Sequence, residues 1–133
     1  MANALYPKWK EALLTLASGN DLENGNVKVS LIDTGTYTYS SSHDMRDDLS
    51  GVVATSGNLT SKTITNGVFD AADVTFSAVS GSSAEAIVIW IDSGTPSTSP
   101  LVAYIDTGQT GLPVTPNGGD ITITWNASGI FAL

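Results

Sequence analysis

From Asn26 onward the apolar residues of this chain recur with a period of two, and that alternation confines the fold more tightly than anything else in the sequence. Val27, Val29 and Leu31 alternate with Lys28 and Ser30; Val74, Phe76 and Ala78 with Thr75 and Ser77; Ile121, Ile123 and Trp125 with Thr122 and Thr124. Successive side chains of a strand point to opposite faces, so each stretch predicts a strand with one dry face. Residues 84–91 are apolar on both faces apart from Glu85, and residues 101–105 nearly so, the pattern of strands at the centre of a packed sheet. Residues 51–55 and 59–65 are weaker strand candidates. The second runs into Asn66 and Gly67 before Val68 and Phe69, the sequence of a two-residue hairpin turn. The expectation is a mainly β fold, an antiparallel β-sandwich or flattened barrel.

One segment breaks the pattern. Over residues 6–18 the apolar Trp9, Leu13, Leu16 and Ala17 recur at helical spacing, Pro7 suits a first turn, and Gly19 with Asn20 supplies a stop. This predicts one N-terminal amphipathic helix. A helix this short draws its stability from packing, so burial on its own sheet is favoured over an arm that docks on a partner. The chain then reads as a single domain, with an arm and helix over 1–20 and a β body over 26–133. Ser and Asp over residues 40–49 (SSSHDMRDDL) favour turns and caps. The long stretch 106–119 contains Leu112, Pro113, Val114 and Pro116, too apolar for a free loop; it either folds back or reaches out. The start of the sequence lacks the features of a secretory signal, and no apolar run approaches the roughly 20 residues of a membrane span. A product made and kept soluble in a cytoplasm, with no membrane partner, is expected.

The residue inventory removes most chemistry. There is no Cys, hence no disulfide or thiolate metal site, and after Lys62 there is no Lys, Arg or His. A formal net charge of -8 argues against nucleic acid as a partner, because phosphate binding relies on Lys and Arg. Three strands end in Asp followed by Thr or Ser and Gly, at Asp33, Asp92 and Asp106, as in aspartic proteases. Asp92 and Asp106 are too close in sequence for separate lobes, and Asp with Gly at a strand end is also ordinary turn chemistry. His43 beside Asp44 reads as a solvated loop histidine. Asp47 with Asp48, and Asp70 with Asp73, do not follow the calcium-loop pattern and read as caps. Trp90 and Trp125 raise the possibility of a sugar-binding platform, but their apolar neighbours Val88 and Ile123 favour the core. No enzyme, catalytic residue, cofactor or metal is expected.

Four strings carry a resemblance: ALYPKWKEALL (4–14), DTGTYTYSSSHD (33–44), GVFDAADVTFSAVSG (67–81) and LPVTPNGGDITITWNASGIF (112–131). Over nearly its whole length the chain resembles a family of small proteins encoded among the structural genes of tailed bacteriophages. The resemblance implies a virion structural protein, foremost a capsid decoration or cement protein on the outer head surface, where it joins coat subunits. The implied partners are the major capsid protein or other virion proteins, with this chain a homo-oligomer or present in many copies. An outer position also suits an acidic chain, which packaged DNA repels. A tail component and a carbohydrate-binding β-sandwich module are the alternatives. The expected contact residues are Trp9 and Leu13 on the helix, Leu112, Pro113, Val114 and Pro116 in the long loop, and Ile130, Phe131 and Leu133 at the C-terminal end.

Overall fold

A computed structural model describes residues 3–133. In chain order the elements are β1 (Ala4–Leu5), α1 (Pro7–Leu14), β2 (Val27–Ile32), β3 (Val52–Thr55), β4 (Thr63–Thr65), β5 (Val68–Asp70), β6 (Val74–Phe76), β7 (Ala86–Ile91), β8 (Leu101–Ile105), β9 (Ile121–Ile123) and β10 (Phe131–Ala132). They make a five-stranded antiparallel sheet ordered β1-β8-β7-β2-β3, a three-stranded sheet β10-β5-β4 and the pair β6-β9. The mainly β expectation with one N-terminal helix holds. Among the described residues the sheets do not close into a barrel.

The two strands without a polar face lie where that pattern places them. Every residue of β7 and β8 is buried, and they are central neighbours in the large sheet. One face of that sheet carries Val27, Val29, Leu31, Ile87 and Ile89, which join one core with Phe69, Phe76 and Ile123 of the smaller sheets. The opposite face carries Ser30, Val88, Trp90 and Tyr104 and is covered by the segment from Tyr37 to Leu49. There Tyr39 packs on Tyr6 and Tyr104, and the Arg46 guanidinium lies 5.2 Å from the Trp90 ring. The Tyr6 hydroxyl bonds that of Tyr37 at 2.8 Å, which in turn bonds His43 Nδ1 at 2.7 Å. Burial pushes the Tyr37 phenol up to about 12, and pushes Tyr6 up further still. His43 is therefore tied to a buried tyrosine network instead of standing free in a loop.

Element boundaries differ from the expectation most in four places, each with a local cause. The helix stops at Leu14, because Thr15 turns its hydroxyl back onto the Glu11 and Ala12 carbonyls and Leu16 adopts a positive φ of 55°. Leu16 and Ala17 consequently leave the apolar stripe. The 59–65 candidate shrinks to β4, since Ser61 has a positive φ and Leu59 is anchored separately through its N–H to the Val27 carbonyl. The strand through Val74 ends at Phe76; Ala78 takes φ 50°, and Val79 is buried in its place. The strand through Ile121 ends at Ile123, with Thr124 bridging to Thr110. By contrast, the Asn66-Gly67 turn forms as read, both residues at positive φ, in the manner a type I′ hairpin requires.

The long stretch 106–119 folds back on the body. Thr110 exchanges both backbone hydrogen bonds with Thr124, and Val114 does the same with Ala84. No helix among the described residues is long and apolar enough to cross a membrane.

Candidate interaction face

The small sheet β10-β5-β4 sets Ile64, Phe69 and Phe131 in one cross-strand row. Helix α1 lies against that row through Trp9 and Leu13, one turn apart on the same face. Trp9 meets Phe131 edge-on at 5.8 Å and donates its indole N–H to the Asn20 carbonyl at 3.4 Å. The helix and sheet diverge toward solvent, leaving an open apolar groove of about 200 Å³ whose walls include Trp9, Leu13, Ile64, Phe69, Phe131 and Leu133.

Two of the exposed large apolar side chains of the described residues line this groove, and two more follow at the end of α1. Ile64 is 52% exposed and Leu133 70%, while Leu14 and Leu16, at the end of the helix that forms one wall, are 86% and 90% exposed. Leu16 is the most informative. The Leu16 N–H bonds the Leu13 carbonyl and the Ala17 N–H the Ala12 carbonyl, the bonding of a Schellman helix stop with Leu16 at its left-handed position. Glycine is the usual residue there, because a Cβ makes that conformation costly. A leucine at this position is unfavourable in conformation and unfavourable in exposure, and nothing in its own chain repays either. Replacing it by glycine, Leu16→Gly, is expected to raise the unfolding free energy by about 0.5–1 kcal/mol in urea titration. A loss of stability would instead mean that Leu16 contributes to its own fold.

Charge singles out the same face. Its building segments, residues 3–24, 60–70 and 129–133, carry Lys8, Lys10 and Lys62 against Glu11, Asp21, Glu23 and Asp70 and sum to -1, so nearly all of the net charge of -8 resides on the remainder.

The expected contact residues divide between two ends of the molecule. Trp9, Leu13, Phe131 and Leu133 come together at the groove, although Trp9 is itself 3% exposed and belongs to the core. Ile130 is buried, its N–H given to the Phe69 carbonyl. Leu112, Val114 and Pro116 are half-buried and Pro113 is exposed, but Val114 is tied to Ala84 at the Ile32 end of the large sheet, whereas α1 follows β1 at the opposite, Leu101 end. Sequence reading missed Leu14, Leu16 and Ile64 as exposed groups. The only signal was that Leu13, Leu14 and Leu16 together are too wide for a single helical stripe.

The other candidate chemistry resolves into local structure. Asp33 accepts the Gly35 N–H, and Asp92 accepts the Gly94 N–H and the Lys28 ammonium at 2.7 Å, which hold its carboxyl below the usual range. Asp33 and Asp92 lie at opposite ends of the paired β2 and β7 and cannot share a proton. Asp48 accepts the N–H groups of Asp44 and Met45, which lowers its pKa, while Asp70 accepts from Ala71 and Asp73 from Trp125. Among the described residues no three acidic, His or Cys groups are disposed to hold a metal ion. Trp90 and Trp125 are each 6% exposed, with their indole N–H groups on Ser30 and the Ala72 carbonyl, so neither offers a flat face to a sugar. No protein-family model matches the chain, and no curated protein matches it.

Proposed function

We propose that this chain is a structural component of a tailed-bacteriophage virion, a decoration or cement protein seated on the outer head at junctions between coat subunits. The observation that carries the reading is the nearly neutral face with exposed apolar side chains built by α1, β4-β5 and β10 on an otherwise acidic body. A cement protein requires a rigid body and an apolar surface that buries area across a seam. Each Leu or Ile side chain removed from water contributes about 1.5–3 kcal/mol. Repetition over a lattice turns such modest contacts into a stable shell. The acidic remainder points away from the seam, where it would repel free nucleic acid and other copies. The strings 4–14, 67–81 and 112–131, which resemble phage structural proteins, supply α1, part of the β4-β5 hairpin and Phe131 of this same face.

The test is a density map of the virion that encodes the chain, together with re-addition of purified protein to heads that lack it. Density at coat-subunit junctions with α1 and β10 turned toward the coat is expected. The double variant Leu16→Ser, Leu133→Ser, which alters only exposed groups, is expected to weaken head binding by roughly tenfold or more. Density confined to the tail, or absent from the particle, would overturn the cement reading.

A further inference from the structure

The outer edge of the small sheet is self-complementary. In the two-residue hairpin Thr65 pairs with Val68 beside the turn, Ile64 with Phe69, and Thr63 with Asp70. Alternation of the antiparallel ladder then turns the N–H and C=O of Thr63 and Thr65 inward to β5 and those of Ile64 outward. The outward pair at Ile64 finds no bond among the described residues, and all three residues of β4 are exposed. Natural edges are usually blunted by Lys, Pro or a bulge. The edge β3 carries a register irregularity, β1 and β10 are two residues long, and β6 and β9 have their apolar residues buried; β4, with Lys62 just before it, is a regular Thr-Ile-Thr whose central isoleucine is exposed.

We propose that two copies of this chain pair antiparallel through β4, Ile64 of each exchanging both backbone hydrogen bonds with Ile64 of the partner subunit, to form a continuous six-stranded sheet β10-β5-β4-β4-β5-β10. A two-fold axis through Ile64 requires one residue with both groups facing outward, and this edge has it. The axis places Thr63 opposite Thr65 of the partner subunit, a favourable cross-strand pair, and leaves no like charges directly opposed. It also brings the two Ile64 side chains together on the face that bears the grooves, so both α1 helices stand on one side of the sheet. The β4-β5 hairpin at this junction and the residues before it carry only Lys62 and Asp70, which cancel, so two chains of net charge -8 meet there without a local excess of like charge.

The size of the contact sets its strength. Three residues of strand span about 10 Å, and Ile64 with the groove rim adds a few hundred Å² per copy, short of the roughly 800 Å² per partner of a stable complex. The pair is thus weak, with a dissociation constant on the order of 10⁻⁴ M, monomeric when dilute and paired where copies are crowded. This inference concerns the chain in solution and stands or falls separately from virion location.

Sedimentation velocity of the full chain from 10 µM to 1 mM (set by the expected dissociation constant) is expected to show a monomer–dimer equilibrium that salt strengthens by screening the acidic remainder. Ile64→Lys is expected to weaken dimerisation at least tenfold without loss of the folded spectrum. Paired residues in such a register lie about 5.5 Å apart at Cα, within disulfide reach. Ile64→Cys, in a chain with no native Cys, is therefore expected to cross-link under air at least ten times faster than the exposed control Thr98→Cys. A monomer at 1 mM, equal cross-linking rates, or a dimer that survives Ile64→Lys would each overturn the proposal. So would a β4 edge that captures only an extended segment of the coat protein.

Discussion

Trp9→Ala is expected to lower the unfolding free energy by about 3–5 kcal/mol, the range for removing a buried Trp, and to release the N-terminal segment from the body. Trp9 is the single fully packed residue of α1. The helix has eight residues, no side-chain N-cap and no basic residue in its last turn, so it has little stability of its own. What holds it is the edge-on contact with Phe131, which packs in turn on Phe69 at 5.5 Å, and the indole bond to the Asn20 carbonyl. Truncation at Trp9 removes both and empties the inner wall of the groove. Tyr6 stays anchored by its N–H to the Val102 carbonyl and its hydroxyl to Tyr37, so β1 remains paired while α1 frays. Urea unfolding followed by the fluorescence of Trp90 and Trp125 measures the loss. Tryptic cleavage at Lys8 and Lys10, in native buffer, measures the fraying. A cost below about 1 kcal/mol with no gain in cleavage would mean that the helix is held by Leu13 and its flanks.

That helix shows where sequence reading succeeds and where it stops. Trp9 and Leu13 were legible as a core-facing stripe because a 3.6-residue period survives any tertiary context. The end of the helix was not, because Gly19 and Asn20 advertise a stop that Thr15 and Leu16 make earlier. β2, β7 and β8 were legible for the same reason as the stripe, and the β4-β5 hairpin because Asn-Gly supplies two positive-φ residues in succession. The cover formed by Tyr37 to Leu49 was illegible. Its burial depends on Tyr6, between β1 and α1, and Tyr104 of β8, both distant in sequence, and its own Ser and Asp content argues for solvent.

The contact residues behave likewise. Each of Trp9, Leu13, Phe131 and Leu133 was visible as an apolar group in search of cover. Their meeting in one groove was not, since it requires β10 to pair with β5 across 61 residues of intervening chain between Phe69 and Phe131. Leu112 and Val114 show the converse. They carry an equally apolar signal, and the bridges of Val114 to Ala84 and of Thr110 to Thr124 hold the loop on the body, where both side chains are half-buried against the core. An apolar loop is therefore ambiguous in sequence, whereas a leucine in a left-handed helix stop is not ambiguous once its φ is known.

Gly111→Ala tests whether the long loop is part of the body or a loosely attached arm. Gly111 has a φ of 120°, and a methyl group there would lie 2.6 Å from the Thr122 carbonyl oxygen and 3.0 Å from Ile123 Cδ1. The carbonyl belongs to β9, fixed by its pairing with β6, and Ile123 is fully buried, so neither neighbour can move away cheaply. The loop must give way, and the Thr110–Thr124 bridge goes with it. Strain at a residue forced into a glycine conformation costs about 1–3 kcal/mol, and overpacking against a closed core about as much again. The expected loss is roughly 2–6 kcal/mol, on the order of 10 °C in Tm. Hydrogen exchange is expected to rise at Thr110, Val114 and Thr124 and to stay unchanged at Phe69 and Leu133, which belong to the groove at the other end of the large sheet. A variant with unaltered Tm would show that the loop swings free of β9 and would return Leu112, Pro113, Val114 and Pro116 to the set of outward contacts.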